Sequence, residues 1–62
     1  MQQLKLIGIR DVCDRTHRSR AWIYSAIQRG DFPKQVSLGG RAVAWPEHEV
    51  NDWIAQKISE RS

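Results

Sequence analysis

A chain of 62 residues with one cysteine and a formal charge of +3 has room for one domain and none for an internal disulfide. Folding at this length hides only about 60% of the surface the unfolded chain exposes, so a deep catalytic cleft is not expected and the reading is against an enzyme. No apolar run reaches the length of a membrane span, the N-terminus lacks a signal-peptide core, and the lone thiol suits a reducing compartment, which together point to the cytoplasm.

Leu4, Leu6 and Ile7 form a short apolar entry of extended character. A first helix is predicted after Gly8. Ile9, Val12, Cys13 and Thr16 fall at i, i+3, i+4 and i+7, one helical stripe, while Arg10, Asp11, Asp14 and Arg15 face away. Thr16-His17-Arg18 does not continue that stripe, and Ser19 is a good N-cap for a second helix. Ile23, Ala26 and Ile27 give this helix an inner face, Gly30 closes it where a left-handed residue is wanted, and Pro33 blocks continuation. Two short helices joined by such a brief turn have the layout of a helix-turn-helix.

After Phe32-Pro33 the period changes to two. Gln35-Val36-Ser37-Leu38 and Arg41-Ala42-Val43-Ala44-Trp45 alternate on either side of Gly39-Gly40, the pattern of a hairpin with a two-residue turn. With Gly39-Gly40 as the turn, Leu38 faces Arg41, Ser37 faces Ala42, and Val36 faces Val43, so that both valines point at the helices. A third helix follows Trp45. It has Pro46 at its first position, Glu47 and Glu49 in a first turn that favours anions, and Val50, Trp53, Ile54 and Ile58 as its buried stripe. The expected fold is mostly α with a β-hairpin: a winged helix-turn-helix of three helices and a two-stranded wing, one domain over residues 1–62 with its core at about 6–58.

With Ile23 and Ile27 inward, about 100° of rotation per residue puts Ala21, Tyr24, Ser25 and Gln28 on the outward half of the second helix, with Trp22 and Arg29 at its edge. These residue types suit base edges: Gln for adenine, Ser for donors or acceptors, Ala for a thymine methyl. Arg20 lies nearer the inner boundary but has the reach for a guanine or a phosphate. A solvated helix face would show the same polar mixture. Trp22 has two places open to it, against the first helix beside Ala26 or against a sugar or thymine methyl. Tyr24 serves either as a core-edge residue or as a phosphate donor.

Arg15, His17, Arg18 and Arg20 form an acid-free cluster around the turn, suited to phosphate contacts that fix register. The Ser19 cap leaves the free N–H groups of the second helix beside it. At the hairpin, Gly39 and Gly40 permit close backbone approach, and Arg41 is placed to enter a minor groove or hold phosphate, with Lys34 as a supporting contact. A tip arginine is also a solubility device on an exposed hairpin. From Met1 to Trp45 eight basic residues stand against three acids, and from Pro46 to Ser62 two stand against four. That asymmetry orients a domain toward a polyanion, with the acidic third helix turned away from it. The indicated partner is double-stranded DNA. Cys13, His17 and His48 carry ligand chemistry, but zinc wants a closed set of three or four ligands and Cys13 falls on the apolar stripe. Neither a metal nor another cofactor is expected.

The order and spacing of Ile9-Arg-Asp-Val12, Ser19-Arg-Ala-Trp-Ile-Tyr24, Gly30-Asp-Phe-Pro33, Leu38-Gly-Gly-Arg41, Trp45 and Glu49-Val-Asn-Asp-Trp53-Ile resemble the AlpA family of prophage regulatory proteins. This group is related to phage excisionases and, more distantly, to the MerR-type winged helix. The resemblance covers about Leu6 to Ile58. It implies a winged helix-turn-helix with the helix near Arg20 in the major groove and the hairpin as wing. It also implies a role in transcription control or in prophage excision, the latter through DNA bending beside an integrase. RNA polymerase or an integrase as protein partner, cooperative self-association on DNA, and a place at the nucleoid would follow. Two departures stand out. His17 and Arg18 replace the usual Gly and apolar residue of the turn, and Trp22 replaces a small polar one. A second class of reading is a protein-interaction module that docks an acidic partner, which the salt dependence of duplex binding would separate from the first.

Overall fold

Residues 4–61 are described by a computed structural model. The elements are β1 (Leu6–Ile7), α1 (Ile9–Thr16), α2 (Arg20–Arg29), β2 (Val36–Gly39), β3 (Ala42–Pro46) and α3 (Glu47–Glu60). The expected domain span of 1–62 extends past the described residues at both ends.

The stripe of α1 buries as its spacing requires: Val12 is fully enclosed, and Ile9 and Cys13 pack against the core. The helix ends on His17 in the left-handed conformation, with φ 58 and ψ 34. A residue with a β-carbon is held there at a cost of roughly 1–2 kcal/mol, which glycine avoids. His17→Gly should therefore raise stability by about 0.5–1 kcal/mol once the freer unfolded chain is counted. Urea denaturation tests this, and a lower midpoint would show that the imidazole makes a compensating contact.

Both ends of α2 are closed by local hydrogen bonds. The Ser19 hydroxyl accepts from the Trp22 N–H at 3.1 Å. At the other end Gly30, with φ 80, donates to the Ile27 carbonyl at 3.0 Å while the Asp31 N–H reaches the Ala26 carbonyl at 2.8 Å. This pair of bonds is the Schellman arrangement, which needs the left-handed residue that glycine supplies.

Seven buried residues form one core cluster: Ile7, Val12, Ile23, Ala26, Phe32, Trp45 and Val50. Two indoles pin the loop between α2 and β2 to it. Trp45 Nε1 donates to the Pro33 carbonyl at 2.9 Å, and Trp53 Nε1 donates to the Asp31 carbonyl at 2.7 Å. Each satisfies a loop carbonyl that would otherwise compete for water.

The sheet differs from the expected two-stranded wing in having a third strand. Its order is β1-β3-β2, with β3 central. β1 pairs antiparallel with β3, placing Ile7 opposite Trp45 and Leu6 opposite Pro46. The apolar entry thus becomes an edge strand that the sequence showed only as extended character.

The hairpin register is one residue away from the expected one. Val36 opposes Ala44, Ser37 opposes Val43, and Gly39 opposes Ala42, with an irregularity between Ser37 and Gly39. Leu38 is the extra residue on β2, a bulge that shifts every pair before it. The turn is therefore Gly40-Arg41 rather than Gly39-Gly40. The cause is backbone geometry, since Gly39 takes φ 106 and Gly40 φ 56. Gly40 then supplies the positive φ wanted at the first central position of a two-residue loop. A one-residue slip exchanges faces, so Val36 and Val43 do not share one. Val43 packs against the core, whereas Val36 is exposed.

Two expectations for α3 also change. Pro46 closes β3 instead of opening the helix, which begins at Glu47, and the Glu47 N–H is taken by the Lys5 carbonyl at 2.8 Å. Val50 is enclosed and Trp53 and Ile54 are half-buried, but Ile58 is 55% exposed. With 14 residues against 8 in α1 and 10 in α2, α3 outruns its neighbours, and its last turns are exposed. No helix among the described residues is long and apolar enough to cross a membrane.

Candidate nucleic-acid interface

The helix-turn-helix presents an outer face of α2 that matches most of the expected set. Arg20, Ala21, Ser25 and Gln28 are exposed, as are Arg18 and Ser19 in the turn that precedes them. Ser19 is committed to its cap. Ser25 Oγ accepts from Arg29 Nη1 at 3.0 Å, and Arg29 Nε is paired with Asp31 at 3.1 Å. The i, i+4 spacing of Ser25 and Arg29 was the available signal for this contact.

The two aromatic candidates are half-buried, each against another ring. Tyr24 is half-buried with its ring 6.1 Å from that of Trp45, tilted by 56°. Trp22 turns toward α3 rather than toward α1, meeting Trp53 edge-on at 6.1 Å between centroids. The Arg18 guanidinium lies 4.3 Å above the Trp22 ring.

The arginine cluster is divided by its ion pairs. Arg15 belongs to the scaffold: its guanidinium donates to Glu47 at 2.9 Å and to Asn51 at 3.1 Å, tying α1 to the first turns of α3. Lys5, Arg29 and Lys57 also have carboxylate partners, in Glu47, Asp31 and Glu60. No described carboxylate is within ion-pairing distance of Arg18, Arg20, Lys34 or Arg41. These are the cations the sequence singled out in α2, its turn and the wing.

The wing meets α2 through Trp45 of β3, whose ring lies beside that of Tyr24 and whose Nε1 donates to the Pro33 carbonyl. Gly39, Gly40 and Arg41 are exposed at its end, and Lys34 is exposed just before it. Because the bulge moves the turn by one position, Arg41 sits within the turn itself. The side chains of Cys13, His17 and His48 are not assembled: among the described residues no group of three His, Cys, Asp or Glu is close enough to hold a metal ion.

One family model and two relatives match the chain. The family model described as "Prophage CP4-57 regulatory protein (AlpA)" matches residues 5–58. The chain is 42% identical over 59 residues to the uncharacterized protein ORF88 of Enterobacteria phage P4, covering 95% of this chain and 67% of that protein. It is 32% identical over 60 residues to the DNA-binding transcriptional activator AlpA of Escherichia coli strain K12, covering 87% of this chain and 86% of that one. The match spans every helix and strand apart from the end of α3, and the protein belongs to the AlpA family of prophage regulatory proteins.

Proposed function

We propose that the protein binds double-stranded DNA at specific sequences as a phage-type regulator, with α2 in the major groove and the wing on an adjacent minor groove or its phosphates. The observation that carries this reading is the set of unpaired cations. Arg18, Arg20, Lys34 and Arg41 are exposed with no described carboxylate within ion-pairing distance, as are Arg10 and Arg61 away from α2 and the wing, whereas Lys5 and Arg15, which reach across to α3, are paired with Glu47. Exposed cations release condensed counterions when they meet phosphate. Arg18 and the capped N-terminus of α2 fix the register of the helix on the backbone. Arg20, Ala21, Ser25 and Gln28 then lie along one face for base edges, and Trp22 and Tyr24 brace that face from behind. The related protein of E. coli is named as a DNA-binding transcriptional activator, which supports the same partner for this chain.

Two roles fit within this reading, promoter control and assistance to an integrase during excision. A directionality factor occupies several repeated sites beside an attachment site and bends the DNA, whereas a promoter regulator does not require that layout. Footprinting on the source genome separates them.

The salt dependence of binding tests the DNA reading itself. With about five phosphates neutralised, log K against log salt should slope near −4 to −5 on duplex DNA. A slope near zero, or no duplex preference at low salt, would overturn it. Arg41→Ala should weaken binding to all duplexes alike and flatten the slope by about one unit. An unchanged slope in the same titration would take the wing out of the interface.

A further inference from the structure

A groove of about 600 Å³ runs between α3 on one side and the end of α1, the turn and α2 on the other. Its apolar wall comprises Trp22, Trp53, Ile54 and Ile58; Arg18 and Lys57 also line it, as do Arg29 and the Asp31 carboxylate that Arg29 neutralises. We infer that this groove docks an acidic peptide segment of a partner protein through one or two large apolar side chains.

The wall is more apolar than polar, which suits the side chains of a peptide better than a sugar-phosphate backbone. It presents two indoles and two isoleucines, and Ile58 is left 55% exposed at the overhanging end of α3. A volume of this size matches a site that holds a few apolar groups. The cations select the charge of the occupant. The Arg18 guanidinium is stacked 4.3 Å over Trp22 with no described carboxylate in reach. The Lys57 ammonium lies 5.5 Å from the Trp53 ring centroid. Its only described carboxylate partner is the neighbouring Glu60 at 3.4 Å, in a half-exposed pair that a better ligand displaces readily. Aromatic rings flanked by such cations are the usual anchors of a protein interface. An apolar residue flanked by aspartate or glutamate satisfies both wall and rim.

The test uses the 62-residue chain against a displayed library of random twelve-residue peptides, followed by titration of an enriched peptide into labelled protein. Enriched sequences should combine acids with leucine, phenylalanine or tryptophan. Their binding should shift the indole N–H resonances of Trp22 and Trp53 and leave that of the enclosed Trp45 in place. Ile58→Glu should weaken the peptide about tenfold, as the loss of an apolar anchor with added repulsion requires. Duplex affinity and the unfolding midpoint of that variant should be unchanged, since Ile58 is exposed and lies outside α2 and the wing. Lys57→Glu should act in the same direction. Three results would overturn the inference: no enrichment of acidic sequences, a Trp53 indole shift produced by duplex DNA instead of peptide, or shifts that grow with protein concentration alone and so reveal a second copy in the groove. Arg18 belongs to both proposed contacts, so duplex binding is measured separately, and the selective loss of peptide by Ile58→Glu and Lys57→Glu keeps the two readings distinguishable.

Discussion

Trp45→Ala is expected to abolish the cooperative unfolding of this domain at room temperature. The indole is fully buried at the centre of the sheet, opposite Ile7 and beside Tyr24, and its Nε1 holds the Pro33 carbonyl. Truncating a buried tryptophan costs about 3–5 kcal/mol, and a core of this size supplies only about 3–5 kcal/mol of net stability. The folded population would therefore fall to a level comparable with the unfolded one or below it. Urea and thermal melts followed by tryptophan fluorescence or circular dichroism report this directly. Trp45→Phe separates the two contributions: it retains most of the apolar contact but leaves the Pro33 carbonyl without its donor, for a smaller loss of about 1–3 kcal/mol. A melt for the alanine variant within 1 kcal/mol of the parent would mean that the core does not depend on this residue.

On the proposed DNA reading, Arg20→Ala is expected to carry the largest functional effect. Arg20 is the first residue of α2, exposed and without a described carboxylate partner. The N-terminal part of a recognition helix lies nearest the base edges. An arginine that bonds a guanine there contributes about 1–3 kcal/mol of discrimination, so the variant should lose roughly tenfold to a hundredfold on its selected site. The loss on random duplex should be much smaller. Selection from a random duplex library before and after the substitution reads both quantities. An equal loss on selected and random DNA would reassign Arg20 to phosphate contact, and no loss on either would move the interface away from the start of α2.

Much of the helical part was legible before any coordinates. The α1 stripe, the Ser19 cap, the Gly30 stop and the exposed face bearing Ala21, Ser25 and Gln28 all depend on residues three to five positions apart. Hydrogen bonds such as Ser19 to Trp22 and Asp31 to Ala26 close within that distance, so their residue types report directly on local geometry. The hairpin was recognisable for the same reason, although its register was not. Two adjacent glycines allow either to enter the turn, and only the backbone angles at Gly39 and Gly40 show that Leu38 is the residue squeezed out.

Other features depend on partners far apart in the chain. The pairing of Ile7 with Trp45 that makes β1 a strand lies in this class, as does the capture of Arg15 by Glu47, which removes it from a cluster that looks uniform in sequence. So does the choice of Trp22 to face Trp53 across the groove, and the overhang that leaves Ile58 in solvent. Periodicity states which side of an element is apolar, but it does not state how long the neighbouring element is or which charge stands opposite. For this protein the amino-acid order by itself determined the helices, their caps and the outer face of α2, because those interactions span a single turn. The strand register, the division of the arginines into scaffold and free cations, and the groove beside α3 were decided only when the elements packed, because each is set by which distant surface meets which.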